Sequence, residues 1–288
     1  MHMKHLELVE RKSLPNGEGY VFRTYDHFPV LASSITLDDK EESINKWKIK
    51  ISLESGCPVG CVYCFTKGFQ KHRQLTVDEI AEQVDFIYSS PGHRQRDFDQ
   101  VKVEMKEMGD PTTNAQNTCN ALRKLAADYN GLLYVVSTAG VRNFAFFDQL
   151  REVRDGGVDV RLQFSCHSTS NKDIIKLSPL VRMLTLEERA SLVSNWYDGK
   201  NKVTLNFVPF RGYELFADKI IHLFNPEEVF VKVSYTDINP FTQQAGLENA
   251  SYEDVQHFVQ ELQDASFQVA YRNHTPFPAK KRSLKMVY

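Results

Sequence analysis

Three of the five cysteines fall within eight residues, in Gly56-Cys57-Pro58-Val59-Gly60-Cys61-Val62-Tyr63-Cys64, with the spacing C-x3-C-x2-C. Three thiolates from one tight loop can hold three irons of a [4Fe-4S] cube and leave the fourth without a protein ligand, whereas an electron-transfer cluster normally has four cysteines. An open iron is a place for a bound molecule. A zinc site would want a fourth Cys or His, for which His72 is the nearby candidate, and a chance grouping of cysteines is the remaining alternative. Cys119 shares a helical face with Leu122, Leu125, Ala126 and Tyr129 and reads as a buried structural thiol. Cys166 alternates with inward Ser165 and His167 and is expected to point outward.

The elements that must position this loop follow from periodicity. From Trp47 onward, period-2 stretches near 47–54, 100–107, 132–138, 158–166, 202–209 and 229–236 alternate with helical patterns near 76–89, 115–129, 143–153, 186–197, 212–223 and 251–265. Strand and helix in alternation mark βα units around a parallel sheet. A seventh stretch, Phe267 to Tyr271, is expected to close or flank that sheet. Two short pieces, Gly19 to Arg23 and Phe28 to Ala32, read as a small β extension over residues 1–46, followed by a core over 47–272 and a basic tail over 273–288 that carries Lys280, Lys281, Arg282 and Lys285.

One face of each strand is apolar: Trp47, Ile49, Ile51 and Leu53, then Val101, Val103 and Met105, then Val160, Leu162 and Phe164, then Val229, Val231 and Val233. These faces are expected to meet outer helices. The opposite faces carry Lys50 and Ser52, Lys102, Glu104 and Lys106, Arg161, Gln163, Ser165 and His167, Thr204 and Asn206, and Lys232 and Ser234. A closed eight-stranded barrel is filled with branched apolar side chains, so a polar, mostly basic interior predicts an open six-stranded partial (β/α)6 TIM barrel of α/β class. Glu104 is expected to pair with a neighbouring lysine.

The cysteine spacing, with aromatic Tyr63 before the last Cys, resembles the radical S-adenosylmethionine (SAM) superfamily. Gly109-Asp110-Pro111-Thr112-Thr113-Asn114 resembles the Gly-Glu-Pro motif that receives the SAM amino group there. Val136 to Gly140, Phe164-Ser165-Cys166-His167 and Ile238-Asn239-Pro240-Phe241 resemble SAM-contacting segments of the RlmN/Cfr RNA adenine methyltransferases, in order, over about residues 48 to 272. The resemblance implies a [4Fe-4S] cluster on Cys57, Cys61 and Cys64, and SAM near Tyr63, Gly109, Asp110, Pro111, Ser137, Ser165, His167 and Asn239. Each motif lies just past an expected strand, and in a parallel barrel those ends share a rim. Asp110 could take an ammonium, Ser137, Ser165 and Asn239 could bind a carboxylate or ribose, and Lys50, Arg161 and His167 are expected to meet substrate. Taken singly, a strand-end Ser also caps helices and Asn-Pro also starts turns.

The implied activity is reductive cleavage of SAM to a 5'-deoxyadenosyl radical that abstracts hydrogen from an anionic small molecule or nucleotide, with flavodoxin or ferredoxin as electron donor. RNA methylation of the RlmN/Cfr type is the alternative, and a non-catalytic cluster and SAM sensor a second one. Those methyltransferases use a cysteine upstream of the cluster motif and another near the C terminus. Here the upstream position, seven before Cys57, is Lys50, and no cysteine follows Cys166. A formal net charge of -2 gives no global basic field for nucleic acid, although RNA remains a possible partner. No apolar run is long enough to cross a bilayer and no secretory segment is evident, so no membrane partner and a cytoplasmic location are expected.

Overall fold

The structure, a computed structural model, describes residues 3–39, 44–69, 71–236 and 238–271. The chain divides into two compact units. The first comprises residues 1–60, 68–163 and 180–182, and the second residues 61–67, 164–179 and 183–288. The basic tail expected over 273–288 lies outside the described residues.

The first unit begins with three antiparallel strands, β1 (Leu6–Leu14), β2 (Gly17–Thr24) and β3 (Pro29–Asp39), and β3 pairs antiparallel with β4 (Ile44–Ile51). The N-terminal strands are longer than expected and continuous with the main sheet, because Ser33 sits in register with Lys50 and Thr36 with Trp47. A two-residue pair, β5 (Glu54–Ser55) and β6 (Arg73–Gln74), closes the cysteine loop at its base. Then come α1 (Val77–Ser89), β7 (Gln100–Met105), α2 (Ala115–Asp128), β8 (Leu132–Thr138) and α3 (Phe144–Asp155). β4, β7 and β8 pair in parallel in that order. α1 starts at a reciprocal cap between Thr76 and Glu79, which satisfies two otherwise orphaned backbone donors.

β9 (Val160–Cys166) leads into the second unit, which holds α4 (Asn171–Leu177), α5 (Leu186–Trp196), β10 (Val203–Phe207), α6 (Ala217–Leu223), β11 (Val229–Val233), α7 (Pro240–Gln244), α8 (Tyr252–Asp264) and β12 (Gln268–Tyr271). β10, β11 and β12 are parallel. Each expected βα strand is present, and β12 is the seventh stretch expected to flank the sheet, pairing in parallel with β11. The helices α4 and α7 have no counterpart in the sequence reading, since seven and five residues are too few to display a helical period.

The apolar strand faces form the core as the alternation requires. Trp47, Ile49, Ile51, Leu53, Val103, Met105, Val160, Phe164, Val229, Val231 and Val233 are essentially inaccessible. Ser52 departs from the expected polar interior. It is fully buried, its hydroxyl donates to the Leu31 carbonyl at 2.6 Å, and its amide donates to Gln83 Oε1 at 2.9 Å, so it joins β4 to β3 and α1.

Candidate active site

The cysteine loop emerges from β5. None of its three thiols is in a disulfide, with Cys61 buried and Cys57 and Cys64 half-buried. Its C-terminal part turns tightly, the Cys64 amide donating to the Cys61 carbonyl and the Lys67 amide to the Cys64 carbonyl, both at 3.1 Å. Ser178 Oγ lies 3.1 Å from Cys61 Sγ and Thr66 Oγ1 lies 3.0 Å from Cys64 Sγ. The loop is held by Val62 N donating to Leu177 O at 3.0 Å and by Asn239 Nδ2 donating to Tyr63 O at 3.1 Å. Among the described residues no three His, Cys, Asp or Glu side chains are grouped to hold a single metal ion. His72, the candidate fourth zinc ligand, is instead committed to Glu54, with Nε2 2.9 Å from Oε1. Three thiols on one loop fit a cube that takes one thiolate per iron.

In the first unit, Asp110 follows β7 and is almost fully buried. Its Oδ1 accepts from the Thr112 amide at 3.0 Å and from the Thr112 and Thr138 hydroxyls at 2.5 and 2.9 Å, and its Oδ2 accepts from the Ala139 amide at 2.7 Å. Burial raises its pKa against the pull of those donors. The carboxylate thus ties the loop after β7 to the loop after β8, a duty that the sequence did not reveal. Beneath it lies Glu54, which the sequence reading passed over as the end of a strand. Glu54 is inaccessible and accepts from the Asp110 amide at 3.2 Å and the Thr113 hydroxyl at 3.0 Å. Burial raises its pKa and His72 opposes the rise. Glu54 also explains the glycine of the motif: Gly109 has φ +90°, and a Cβ there would stand 2.7 Å from Glu54 Cβ and Cγ. Pro111 is buried beside it. Ser137, near the end of β8, has a buried hydroxyl with no partner among the described residues.

In the second unit, β9 ends in Ser165 and Cys166, and His167 follows it. The His167 ring meets Tyr63 edge-on at 4.8 Å, and Tyr63 also packs against Phe210 at 5.5 Å between ring centroids. Burial, with Arg189 nearby, lowers His167 to about 3, so the imidazole is neutral, and its Nδ1 is buried without a partner among the described residues. Burial also raises the Tyr63 phenol well above its ordinary value, with Cys61 and Cys64 adding to the rise. Asn239 caps α7, accepting from the Phe241 and Thr242 amides at 2.8 and 3.1 Å in addition to its bond to Tyr63. Arg189 of α5, another residue missed from sequence, is fully buried and donates from Nη1 to Ser165 O at 3.1 Å and Cys166 Sγ at 3.3 Å. Cys166 is accordingly buried on the helix side of β9, and burial raises its thiol pKa.

Of the residues expected at substrate, Lys50 is half-buried near the end of β4, in register with Ser33 and Glu104. Arg161 is the second residue of β9, at the end remote from Ser165, and pairs with Asp159 at 3.1 Å. Two buried polar atoms, the Ser137 hydroxyl in the first unit and His167 Nδ1 in the second, have no hydrogen-bond partner among the described residues.

The family model for the radical SAM superfamily matches residues 51–224. The chain belongs to the radical SAM superfamily. Among curated relatives, this radical SAM chain is 29% identical over 231 residues to the probable dual-specificity RNA methyltransferase RlmN of Thermotoga neapolitana, covering 77% of the chain and 63% of the relative. It is 24% identical over 240 residues to the dual-specificity RNA methyltransferase RlmN of Helicobacter hepaticus, covering 79% and 63%. The chain therefore spans less than two thirds of the length of these relatives. Among solved structures, a radical SAM methyltransferase from Sphaerobacter thermophilus matches with a TM-score of 0.75 at 21% identity, over 93% of this chain and 77% of that one. Streptococcus suis SuiB bound to S-adenosylmethionine matches with a TM-score of 0.55 at 15% identity, over 85% and 56%. The fold is the α/β partial barrel of radical SAM enzymes, whose cofactors are a [4Fe-4S] cluster and SAM. Among the described residues no helix is long and apolar enough to cross a membrane.

Proposed function

We propose that this radical SAM enzyme cleaves SAM reductively and abstracts hydrogen from an anionic substrate, without passing a methyl group through a cysteine. The cluster, when bound, supplies the electron that breaks a C–S bond of SAM, giving methionine and the 5'-deoxyadenosyl radical. Cys57, Cys61 and Cys64 would hold it, and Asn239 and Leu177 fix the backbone that presents the last two thiols. Tyr63, Phe210, Leu177 and Leu247 keep water from that side of the loop, which protects a reactive species from quenching. Ser137 and neutral His167 offer polar atoms with no partner among the described residues, and Asp110 holds its two loops in place.

The observation that carries the reading is the state of the thiols outside the loop. Cys119 and Cys166 are wholly buried, and burial raises both, Cys119 to about 11. Neither is a nucleophile for a methyl group. Lys50 stands where an upstream cysteine would be needed. Anaerobic incubation with dithionite and SAM tests the proposal. Release of 5'-deoxyadenosine and methionine supports it, whereas S-adenosylhomocysteine in their place would sink it. Ala at Cys57, Cys61 or Cys64 should abolish the iron and the cleavage, and Cys119→Ala should leave both intact.

RNA methylation is the second reading, favoured by the identity to RlmN relatives. Methyl transfer to an RNA adenine by the purified chain would establish it. For delivery of the electron, flavodoxin or ferredoxin is the proposed partner, in the cytoplasm.

A further inference from the structure

We propose that the Ser178 and Thr66 hydroxyls donate hydrogen bonds to the Cys61 and Cys64 thiolates and thereby raise the reduction potential of the cluster those thiolates hold. The inference rests on the placement of the cluster on this loop and concerns how readily the cluster takes its electron. Every residue it uses belongs to the second unit. Cys61, Cys64 and Thr66 lie in residues 61–67 of that unit, and Ser178 lies in residues 164–179.

The two hydroxyls reach sulfur from different elements. Ser178 ends α4, where its amide donates to the Ile174 and Ile175 carbonyls at 3.1 and 3.2 Å, and its Oγ lies 3.1 Å from Cys61 Sγ. Leu177, just before it, accepts from the Val62 amide at 3.0 Å, so the end of α4 grips the loop backbone beside the sulfur it touches. Thr66 reaches Cys64 from within the loop, with Oγ1 3.0 Å from Sγ, in a turn closed by the Lys67 amide on the Cys64 carbonyl. Both residues are buried, Ser178 at 3% and Thr66 at 7% exposure. Among the described residues neither hydroxyl has another acceptor to draw its proton away from sulfur.

Metal binding settles which atom donates. A thiol and a hydroxyl can each give a proton to the other, but a thiolate bound to iron has none, so the hydroxyl is the donor and sulfur the acceptor. Reduction adds an electron to the cluster, and part of the added negative charge falls on the ligating sulfurs. A hydrogen bond to sulfur is therefore stronger in the reduced state, which raises the potential, and burial keeps water from supplying the same bond once a hydroxyl is removed. Tyr63 adds to the donors at Cys61, since burial, aided by Cys61 and Cys64, holds its phenol protonated beside that sulfur. Its contribution, and that of any other group touching the two sulfurs, is common to the parent chain and to variants of Ser178 and Thr66.

The test is a redox titration followed by electron paramagnetic resonance of the reduced cluster, on the full chain reconstituted anaerobically with iron and sulfide and free of SAM. At the parent midpoint potential, Ser178→Ala and Thr66→Val should each lower the ratio of reduced to oxidised cluster about threefold or more, a shift of about 30 mV to lower potential for one electron. The double variant should shift further than either. Thr66→Ser, which keeps the hydroxyl, should titrate like the parent. Iron and sulfide counted on each preparation separate loss of the cluster from a change in its potential, and if one variant fails to load, the other still reads the effect. Midpoints unmoved or raised at full iron content, or Thr66→Ser shifted as far as Thr66→Val, would overturn the role of these hydroxyls. A cluster that survives substitution of Cys61 and Cys64 would remove the loop assignment and this role together, whereas unmoved midpoints in a chain whose cluster needs those cysteines would remove this role alone.

Discussion

Asn239 Nδ2 donates to the carbonyl oxygen of Tyr63 across 176 residues of sequence, so the residue that caps α7 also fixes the backbone between Cys61 and Cys64. One side chain performs two separable tasks. Its oxygen accepts the α7 amides, and its nitrogen holds the cysteine loop.

The two tasks can be divided by substitution. Asn239→Asp keeps a cap acceptor and loses the donor, whereas Asn239→Ala loses both. The alanine variant should lose about 1 kcal/mol of stability through the cap, and the aspartate variant much less. Both should retain less iron after anaerobic gel filtration than the parent chain. Full iron retention by the aspartate variant would show that the bond to Tyr63 does not hold the loop.

Glu104 predicts a pH dependence whose sign can be worked out. Its folded pKa, about 2, lies below the ordinary value of 4.5, so the folded state favours the ionised form. The associated stability is present above the unfolded pKa and is lost as pH falls from about 4.5 through about 2. Its size is about 3 kcal/mol, the order expected when one partner of a buried ion pair is removed. Urea denaturation at pH 7 should find Glu104→Gln less stable by about that amount, with the difference shrinking steadily below pH 4.5. A difference that stayed constant down to pH 2 would contradict the pairing of this acid with Lys106 and Lys48.

The packing of Gly109 against Glu54 predicts a steric failure. Alanine at 109 would face both a left-handed backbone, φ +90°, and a Cβ 2.7 Å from two Glu54 carbons. Gly109→Ala should therefore cost about 2 to 4 kcal/mol in thermal or denaturant unfolding, more than a surface substitution explains. His72→Ala should cost about 1 to 3 kcal/mol by leaving the buried Glu54 carboxylate short of a partner. A near-neutral Gly109→Ala would mean that Glu54 moves aside freely.

Much of this was legible in sequence where one local pattern decides the outcome. The cysteine spacing identified the loop, and strict alternation from Trp47 to Leu53 and from Val229 to Val233 identified buried faces. What was hidden depended on tertiary partners. Glu54 follows Leu53 with nothing in its neighbours to mark a buried carboxylate, and its role appears only when the loop carrying Gly109 and Asp110 folds over it. Arg189 follows Glu187 and Glu188 in an amphipathic helix and reads as solvated, yet it turns inward to the carbonyl of Ser165. β1 alternates charged and apolar residues too irregularly to announce a strand, and it exists because β2 supplies its hydrogen bonds. Asp110 was expected to face the SAM ammonium, but the donors that surround it come from loops whose approach no spacing encodes.

The same buried thiols predict the chemistry that should not occur. A methyl-cysteine route needs a thiolate that can reach the SAM methyl, and thiol reactivity follows ionisation and access. Cys119 is fully buried in α2, where burial raises its pKa to about 11. Cys166 is equally buried, and although the Arg189 guanidinium contacts its sulfur, burial outweighs that help and the pKa stays raised. Lys50 occupies the position seven before Cys57, and residues 272–288 contain no cysteine. Intact-protein mass spectrometry after turnover with SAM and dithionite should therefore show no methyl adduct of about 14 Da on any cysteine. Arg189→Met removes the cation that contacts Cys166 and should leave that result unchanged, because burial already holds the thiol pKa up. A methyl group on Cys166 in the parent chain that disappears in Arg189→Met would show instead that Arg189 activates a nucleophile, and the methyltransferase reading would then replace the one proposed.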